Sequence, residues 1–171
     1  CTFINNSGGS GGGMYYGFYS SPFFMSTSAN LLNCKFILNS GGFGEGLYSD
    51  WFLNITNSVF YNNSASDGGG IYNHFNSLSL FGCVFSTNSA TRHGGGVYSW
   101  YSPNIDLANC TLHNNSAEQG GAIYSYSNEK YKIKLSGCIL WKNLNGFMQS
   151  GETGGIDSLH WEDTKSSLDS W

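Results

Sequence analysis

The chain has 171 residues, of which 24 are glycine and only 11% are charged, and its formal net charge is −4. A negative chain with a single arginine, Arg92, offers no basic patch for phosphates, which argues against nucleic-acid binding. No apolar run reaches the roughly 18 residues of a transmembrane helix, so we expect no membrane insertion by this segment. The abundance of glycine, asparagine and serine disfavours α-helix, and the hydrophobic share of 40% argues against disorder.

One short motif occurs six times along the chain. Each copy is a phenylalanine or leucine followed three residues later by an asparagine: Phe3/Asn6, Phe36/Asn39, Phe60/Asn63, Phe85/Asn88, Leu112/Asn115 and Leu140/Asn143. A glycine cluster, an aliphatic residue and usually a tyrosine then follow, as in residues 68–72, 94–98 and 120–124. Because the asparagines recur every 24 to 33 residues, the sequence predicts a solenoid.

Residues 105–124 show how one repeat is built. Apolar and polar residues alternate over 105–107, Asn109 interrupts the alternation, and it resumes over 110–112, which predicts two strands. The residue before the cysteine position is always Asn or Gly, which tolerate a left-handed backbone, so we expect a one-residue corner there. A third short strand follows at 123–124. We therefore predict an all-β parallel β-helix of about six coils, with three short strands per coil and almost no α-helix.

Equivalent positions of stacked coils should form columns with a spacing of about 4.8 Å. The six motif asparagines are then expected to hydrogen-bond amide to amide along the helix axis, as stacked amides do in fibrils. The phenylalanines and leucines of the motif should form an inward stack, each contributing roughly 1.5–3 kcal/mol. We therefore interpret both columns as structural rather than as ligand-binding.

Five cysteines occupy a further column, in which Ser58 fills the remaining place: Cys1, Cys34, Cys83, Cys110 and Cys138. Buried thiols are the preferred interpretation, but neighbouring coils lie close enough for disulfides between Cys1 and Cys34 and between Cys110 and either Cys83 or Cys138. The chain has no C-x-x-C motif, and a column of parallel thiols does not form a tetrahedron, so we expect no metal. The glycine clusters lack the ending of a phosphate-binding loop, and we expect no cofactor.

Five asparagines fit the N-glycosylation pattern: Asn5, Asn54, Asn62, Asn109 and Asn114. Chance alone gives several such matches in a chain this rich in asparagine and serine. They are kept as possible glycosylation sites.

The paired motifs GGGIY with FYNN, GGGVY with FSTN and GGAIY with LHNN resemble the repeats of chlamydial polymorphic outer membrane proteins and related bacterial or protist surface proteins. The resemblance covers residues 1 to about 143, with a decayed copy at 154–156. It implies a right-handed parallel β-helix at a cell surface, often an adhesin, and brings no catalytic residue. Leu112 and Leu140 depart from the phenylalanine of the family motif. We expect β-helix repeats over 1–157 and a non-repeat tail at 158–171 that caps the helix or docks on a neighbour.

One corner of the repeat absorbs most of the length variation. The distance from the aliphatic residue of the glycine motif to the cysteine column is 20, 11, 12, 13 and 15 residues in successive repeats. Insertions in solenoids often mark the binding edge. The candidate contact residues at this corner are Phe23, Phe24, His74, Phe75, Trp100, Tyr101 and Tyr126. Such aromatics stack on sugars or anchor protein interfaces, or they fold down over a sheet edge, and the sequence favours neither reading.

These observations predict a non-enzymatic structural or adhesive β-helix, extracellular or on a cell surface, that binds glycans or host or neighbouring surface proteins. The chain begins at Cys1 within a repeat, so we expect it to be a piece of a longer protein. Its low charge and the open strands at the ends of a β-helix predict self-association along the axis into filaments.

An enzyme of the pectin-lyase-like type, or a glycan-binding module without catalysis, is the alternative. Asp67 and Glu118 are expected at matching corner positions, with Arg92 and His93 on the coil between them, and a carboxylate pair of this kind would suit polysaccharide cleavage. We prefer to interpret these residues as an exposed ion-pair ladder. No catalytic residue is therefore assigned.

Overall fold

The computed structural model describes residues 1–17, 28–126 and 132–150, which form short strands joined by tight corners. All the strand pairs are parallel and lie between successive coils. The first eleven strands are β1 (Thr2–Ile4), β2 (Ser7–Ser10), β3 (Met14–Tyr16), β4 (Ser28–Leu32), β5 (Lys35–Ile37), β6 (Ser40–Phe43), β7 (Leu47–Ser49), β8 (Phe52–Thr56), β9 (Val59–Tyr61), β10 (Ser64–Asp67) and β11 (Ile71–His74). The next ten are β12 (Leu78–Phe81), β13 (Val84–Ser86), β14 (Ser89–His93), β15 (Val97–Trp100), β16 (Asn104–Ala108), β17 (Thr111–His113), β18 (Ile123–Tyr126), β19 (Lys132–Ser136), β20 (Ile139–Trp141) and β21 (Phe147–Ser150).

The strands assemble into four parallel sheets that run along the solenoid. Sheet A has the order β1-β5-β9-β13-β17-β20, and sheet B has the order β2-β6-β10-β14. Sheet C has the order β3-β7-β11-β15-β18-β21, and sheet D has the order β4-β8-β12-β16-β19. The chain passes through sheets D, A, B and C in turn before it enters the next coil. Among the described residues there is no helix that is long and apolar enough to cross a membrane.

The predicted all-β parallel β-helix is confirmed, but the coil count and the strand number differ from the prediction. Four full turns separate β4 from β19, and strands of incomplete turns flank them within the described residues. Coils contain three to four strands rather than three, because sheet B supplies a fourth strand in most of them. Its segments are rich in serine, glycine and alanine, as in Ser40–Phe43 and Ser64–Asp67, and therefore show no apolar alternation. In the coil that contains β16–β18, sheet B is reduced to the isolated bridges Ser89↔Ser116 and His93↔Gln119.

The predicted left-handed corner before the cysteine column is confirmed. The φ angles at this position lie between 48° and 61°, at Asn33, Asn57, Gly82, Asn109 and Gly137. A second left-handed corner precedes the motif asparagine, and there Leu38, Thr87 and Lys142 adopt φ angles of 53° to 59°. Side chains of these three types disfavour this conformation, so the stacked neighbours must impose it.

The motif asparagines stack one above another along the boundary between sheets A and B. The Nδ2 group of Asn63 donates to Oδ1 of Asn88 at 2.9 Å, and that of Asn88 donates to Oδ1 of Asn115 at 3.0 Å. These three fully buried amides also donate to main-chain carbonyls, as Asn63 does to Phe36 at 2.9 Å. The side-chain amides therefore provide hydrogen-bond partners for one another and for the backbone in the interior.

The first rungs of the ladder show where its burial begins. Asn39 is fully buried, and its Nδ2 group donates to Oδ1 of Asn63 at 2.9 Å and to the carbonyl of Phe3 at 3.2 Å. Its own Oδ1 accepts from the side-chain amide of Asn6 at 2.9 Å. Asn6 is exposed, in contrast to the other rungs, because it lies in the first described coil. Asn39 therefore has no surface to offer a ligand, whereas Asn6 is a rung with one open side.

The core consists of the columns that point into the coil. The rings of Phe3, Phe36, Phe60 and Phe85 lie parallel, with centroids 4.6–4.8 Å apart. Leucine, isoleucine and valine side chains from sheets C and D complete the interior. All five cysteines are free thiols in this structure, and buried thiols such as Cys83 donate to main-chain carbonyls.

The end of the described solenoid differs from the predicted copy of the repeat at 154–156. Strand β21 pairs with β18 so that Phe147 lies opposite Ile123, the place predicted for Ile156. The coil after Asn143 therefore closes earlier than the motif spacing suggested. Residues 151–171, including the predicted tail at 158–171, lie outside the described residues.

Candidate functional site

The outer face of sheet C is a column of tyrosines. The register aligns Tyr15, Tyr48, Tyr72, Tyr98 and Tyr124 on successive strands, on the face opposite the aliphatic core. Successive ring centroids are 4.8–5.5 Å apart. Tyr72, Tyr98 and Tyr124 are buried although they point away from the interior, so another part of the chain must cover them.

Sheet B provides that cover, because a tight corner joins it to sheet C. Gly68, Gly94 and Gly120 occupy this corner with φ angles of 63° to 67°. A Cβ atom on Gly68 would lie 2.6 Å from the carbonyl oxygen of Ile71, so glycine is needed for the turn. The corner folds the outer faces of the two sheets toward each other. An open cleft of about 330 Å³ results, lined by Asp67, Arg92, His93, Tyr98, Trp100, Tyr101, Tyr124 and Tyr126.

Asp67 is the centre of the polar side of this cleft. Its carboxylate is buried, and it accepts hydrogen bonds from the guanidinium of Arg92 and from Nδ1 of His93, the latter at 2.7 Å. The Arg92 guanidinium also lies 5.9 Å from the ring centre of Phe43. The His93 ring packs against Tyr124, with centroids 4.6 Å apart. One buried carboxylate thus holds a cation and an imidazole against the tyrosine column.

A β-bulge explains how Arg92 and His93 both reach Asp67. Strands β10 and β14 pair Ala65 with Ala90 but Asp67 with His93, so β14 contains one extra residue between these positions. In the sequence this residue makes the interval from Asn88 to Val97 one residue longer than in most other repeats. Bulges turn side chains out of the regular alternation and are frequent near functional sites.

A second carboxylate and imidazole pair lies one coil earlier on the same face. Asp50 accepts hydrogen bonds from Nδ1 of His74 at 2.8 Å, from the Tyr48 hydroxyl at 3.0 Å and from the Tyr15 hydroxyl at 3.2 Å. Burial would raise the pKa of Asp50, but the hydrogen bonds from His74 and Tyr48 hold it below its ordinary value. Asp50 is therefore ionised at neutral pH.

The phenols of Tyr72 and Tyr98 are neutral groups. Burial raises the pKa of Tyr72 and of Tyr98 far above the ordinary value of about 10, and the nearby charge of Asp67 adds to the shift at Tyr98. These hydroxyls therefore act as hydrogen-bonding groups and not as bases.

The structure brings together five of the seven predicted contact residues. His74, Trp100 and Tyr126 lie in register at the ends of β11, β15 and β18, and Phe75 and Tyr101 directly follow the first two of these strands. Phe75, Trp100 and Tyr126 are exposed by 57%, 36% and 38%. We call these five residues the aromatic edge. The other two, Phe23 and Phe24, lie outside the described residues.

Trp100 ends strand β15. Two expectations about the charged residues are wrong. Asp67 aligns with His93 and Gln119, so Glu118 does not match it: it lies one residue earlier, and its side chain is exposed. The pleat turns neighbouring residues to opposite faces, and this separates the two carboxylates. The predicted ion-pair ladder is also not exposed at Asp67, because this residue pairs with Arg92 and His93 through a side chain that is almost fully buried.

Sequence reasoning missed the cover of the tyrosine column. Tyr72 and Tyr98 are visible as the last residue of the repeated glycine motif, but the motif does not predict what covers the outer face of their strand. Asp50 carried no signal, because it is a single acid in a variable corner.

The asparagine ladder does not contribute to the cleft. Its members line the boundary between sheets A and B, and none of them is among the residues that surround the cleft. Five of the six are buried, and Asn6 is exposed at the first described coil. The ladder consists of Asn6, Asn39, Asn63, Asn88, Asn115 and Asn143.

The possible glycosylation sites lie away from the cleft. Asn5, Asn62 and Asn114 are exposed at the corner between sheets A and B, Asn109 is exposed before the cysteine column, and Asn54 is exposed on sheet D. Within the part of the chain that the structure describes, no group of three or more His, Cys, Asp or Glu side chains is placed to hold a metal ion.

Comparison with known families agrees with this architecture. The family model described as the right-handed beta helix region matches residues 1–160. The chain belongs to the right-handed β-helix family. Neither the comparison with curated proteins nor the comparison with solved structures gives a match. Right-handed β-helix proteins include adhesins and pectin-lyase-like enzymes, so membership defines the fold and leaves the activity to the residues of the site.

Proposed function

We propose that this chain is a non-enzymatic structural and adhesive module of an extracellular or cell-surface protein, and that it binds its partner through the aromatic edge. The right-handed β-helix fold agrees with this proposal. So does the resemblance of its glycine and asparagine motifs to those of polymorphic outer membrane proteins. A stiff rod with few charges is suited to present a binding face at a distance from a cell.

The observation that carries the proposal is the clustering of exposed aromatic rings in the aromatic edge. Trp100 and Tyr126 lie in register on neighbouring strands, with ring centroids 6.0 Å apart, and the Tyr101 ring lies 5.3 Å from Tyr126. Grouped aromatic side chains provide large contact areas at a low entropic cost, and for this reason they are enriched in binding surfaces.

Two exposed aromatic residues on other described faces of the rod, Tyr61 and Phe81, have no aromatic neighbour in register. Tyr61 on sheet A is flanked in register by Ile37 and Ser86, and Phe81 on sheet D is flanked by Thr56 and Ala108. Their exposures, 45% and 50%, match those of the aromatic edge. Tyr61 and Phe81 therefore serve as controls for the general effect of removing an exposed ring.

The cleft favours binding over hydrolysis. Glycosidases use two carboxyl groups roughly 5–9.5 Å apart, one on each side of the scissile bond. Among the described residues that line the cleft, Asp67 is the only acid, and its oxygens already accept hydrogen bonds from Arg92 and His93. A polygalacturonate cleavage assay tests this directly. A non-enzymatic function would be contradicted if the wild-type chain cleaved the polymer and the triple variant Asp67→Asn, Arg92→Met and Glu118→Gln did not.

An adhesion assay tests the proposal. Beads coated with the 171-residue chain are applied to surfaces of immobilised glycans and to intact cells, and the retained fraction is counted. We expect Trp100→Ser with Tyr126→Ser to reduce retention at least tenfold, whereas Tyr61→Ser with Phe81→Ser retains wild-type adhesion. Equal losses in the two double variants would show that the aromatic edge has no special role.

We also propose that copies of this segment associate end to end. Among the described strands, β1, β2, β3 and β4 lie at one edge of their sheets, and β20, β21 and β19 lie at the opposite edge of theirs. Edge strands carry unpaired backbone groups that can pair with another chain, and a head-to-tail contact that does not close produces filaments. Electron microscopy of the concentrated segment should show axial stacks, and monodisperse short particles would contradict this.

A further inference from the structure

The cleft between sheets B and C contains polar groups that the aromatic edge alone does not provide. We propose that it is a subsite for a single neutral sugar unit, an assignment that rests on the proposed adhesive function. Its volume of about 330 Å³ lies at the small end of the range for ligand clefts, about 300–1,000 Å³. A space of this size suits one ring and its substituents better than a segment of a polysaccharide.

Arg92 and His93 provide a donor and an acceptor side by side. When the His93 imidazole is neutral, its proton lies on Nδ1, which donates to Asp67, and Nε2 is an acceptor. Arg92 uses one guanidinium nitrogen for Asp67, and its side chain is half exposed, so further N–H groups remain as donors. Neighbouring hydroxyl groups on a sugar both donate and accept hydrogen bonds and therefore complement this pair.

Aromatic rings form the other walls of the same cleft. Tyr98 and Tyr124 flank the His93 ring, and Trp100 and Tyr126 lie at the mouth on the aromatic edge. The C–H face of a sugar ring is apolar and packs against aromatic rings, while its hydroxyl groups remain in the ring plane. Aromatic walls beside a donor and acceptor pair thus match the two kinds of surface of a sugar.

The charge of the cleft selects against acidic sugars. The Asp67 carboxylate compensates the Arg92 guanidinium, so the lining carries no net charge while His93 is neutral. A carboxylate or sulfate on the ligand would approach Asp67 without gaining an uncompensated cation. Asp67 is therefore a positioning residue, which orients Arg92 and His93 and at the same time determines the charge preference.

Binding of the 171-residue chain to a sugar panel tests this assignment. The probes are immobilised glucose, galactose, mannose and N-acetylglucosamine, together with glucuronate, N-acetylneuraminate and a sulfated N-acetylglucosamine. We expect the wild-type chain to bind at least one neutral sugar and to bind the matching acidic sugars more weakly. Preferential binding of the acidic sugars would overturn the proposal.

Three variants with matched controls locate the subsite. Arg92→Met and His93→Gln should each weaken binding of the neutral sugar roughly tenfold, the loss expected for a hydrogen bond to a charged or well-oriented group. Lys134→Met and His113→Gln remove similar residue types from sheets D and A and should have no effect. Asp67→Asn should shift the preference toward the acidic sugars, because it leaves the Arg92 charge uncompensated. Melting curves of every variant exclude unfolding as the cause.

The outcomes separate this proposal from the adhesive function on which it rests. In one outcome, the double variant Trp100→Ser and Tyr126→Ser loses sugar binding, but Arg92→Met and His93→Gln do not change it. This would overturn the subsite and leave the proposed role of the aromatic edge standing. Adhesion to cells without binding of any sugar on the panel would also overturn the subsite, and it would indicate a protein partner. A chain that shows no adhesion at all would remove both proposals.

Discussion

The interior of the solenoid and the outer face of sheet C follow opposite rules. Inside, the same residue recurs in each coil, as with Asn63, Asn88 and Asn115, because each side chain packs mainly against its own copies. On the outer edge, His74, Trp100 and Tyr126 occupy one column but differ in chemistry. Stacking demands repetition, whereas a ligand-binding face gains from variety. In a solenoid the departures from the repeat are therefore the better guide to function.

The largest expected effect is the loss of an interior ring. Phe85 is fully buried between Phe60 and Leu112, and Phe85→Ala should lower the free energy of unfolding by about 3–5 kcal/mol, because it removes buried area and leaves a cavity. Phe81, half exposed on sheet D, is the matched control, and Phe81→Ala should cost far less. Urea unfolding measures both, and equal losses would contradict the assignment of the interior stack.

Removing one amide of the asparagine ladder should have the next largest effect. Asn88→Ala leaves the side-chain amide and the backbone N–H of Asn63 without their shared acceptor and removes one of the two donors to Oδ1 of Asn115, which should cost about 1–3 kcal/mol. Asn104→Ala, on an exposed strand position, is the control and should change stability little. A loop asparagine such as Asn76 is less suitable, since its side chain donates to the Asp50 carbonyl. Matching melting temperatures for the Asn88 and Asn104 variants would argue against the ladder.

A smaller effect is expected at Glu45, where one coil departs from the residue type of its column. Glu45 occupies a corner position that is glycine in the neighbouring coils, and burial raises its pKa above the ordinary value of about 4.5, against the hydrogen bond from the Gly12 amide. A pKa raised by folding means that the folded state holds the proton more tightly. The stabilisation of the fold by the protonated Glu45 carboxyl is complete below the ordinary pKa and is lost as pH rises through the raised pKa.

The wild-type chain should therefore lose stability relative to Glu45→Gln, which cannot ionise, as the pH rises above the ordinary pKa of about 4.5. Glu118→Gln provides the comparison, because the Glu118 side chain is exposed. Thermal melts at several pH values measure the difference. A constant gap between wild type and Glu45→Gln at every pH would show that the Glu45 carboxyl is not perturbed.

The sequence predicted the interior well because the interior is periodic. The Asn109 corner and the alignment of Phe60 with Phe85 follow directly from motif spacing, and both agree with the structure. Sheet B was missed because a strand of serine, glycine and alanine, such as Ser64–Asp67, has no apolar alternation to detect. Its pairing depends on neighbouring coils that a local reading of the sequence does not see.

The site was predictable only in part, for the same reason. Trp100 and Tyr126 stood out as aromatic residues in a variable corner, and the structure places them together. The alignment of Asp67 with His93 depends on a one-residue bulge, which displaces Glu118 from its expected match. A shift of one residue reverses the face to which a strand residue points, and motif counting cannot resolve such a shift.

The central claim is that the stacked interior provides the stability and the aromatic edge provides the binding. The melting temperature of the Trp100→Ser and Tyr126→Ser double variant tests this claim most directly. It is measured on the same preparation whose adhesion is assayed. Because both side chains lie outside the stacked interior, we expect the melting temperature to stay within about 2 °C of the wild-type value while adhesion is lost. A fall as large as that of Phe85→Ala would show that these rings pack the fold, and would contradict their assignment to a binding surface.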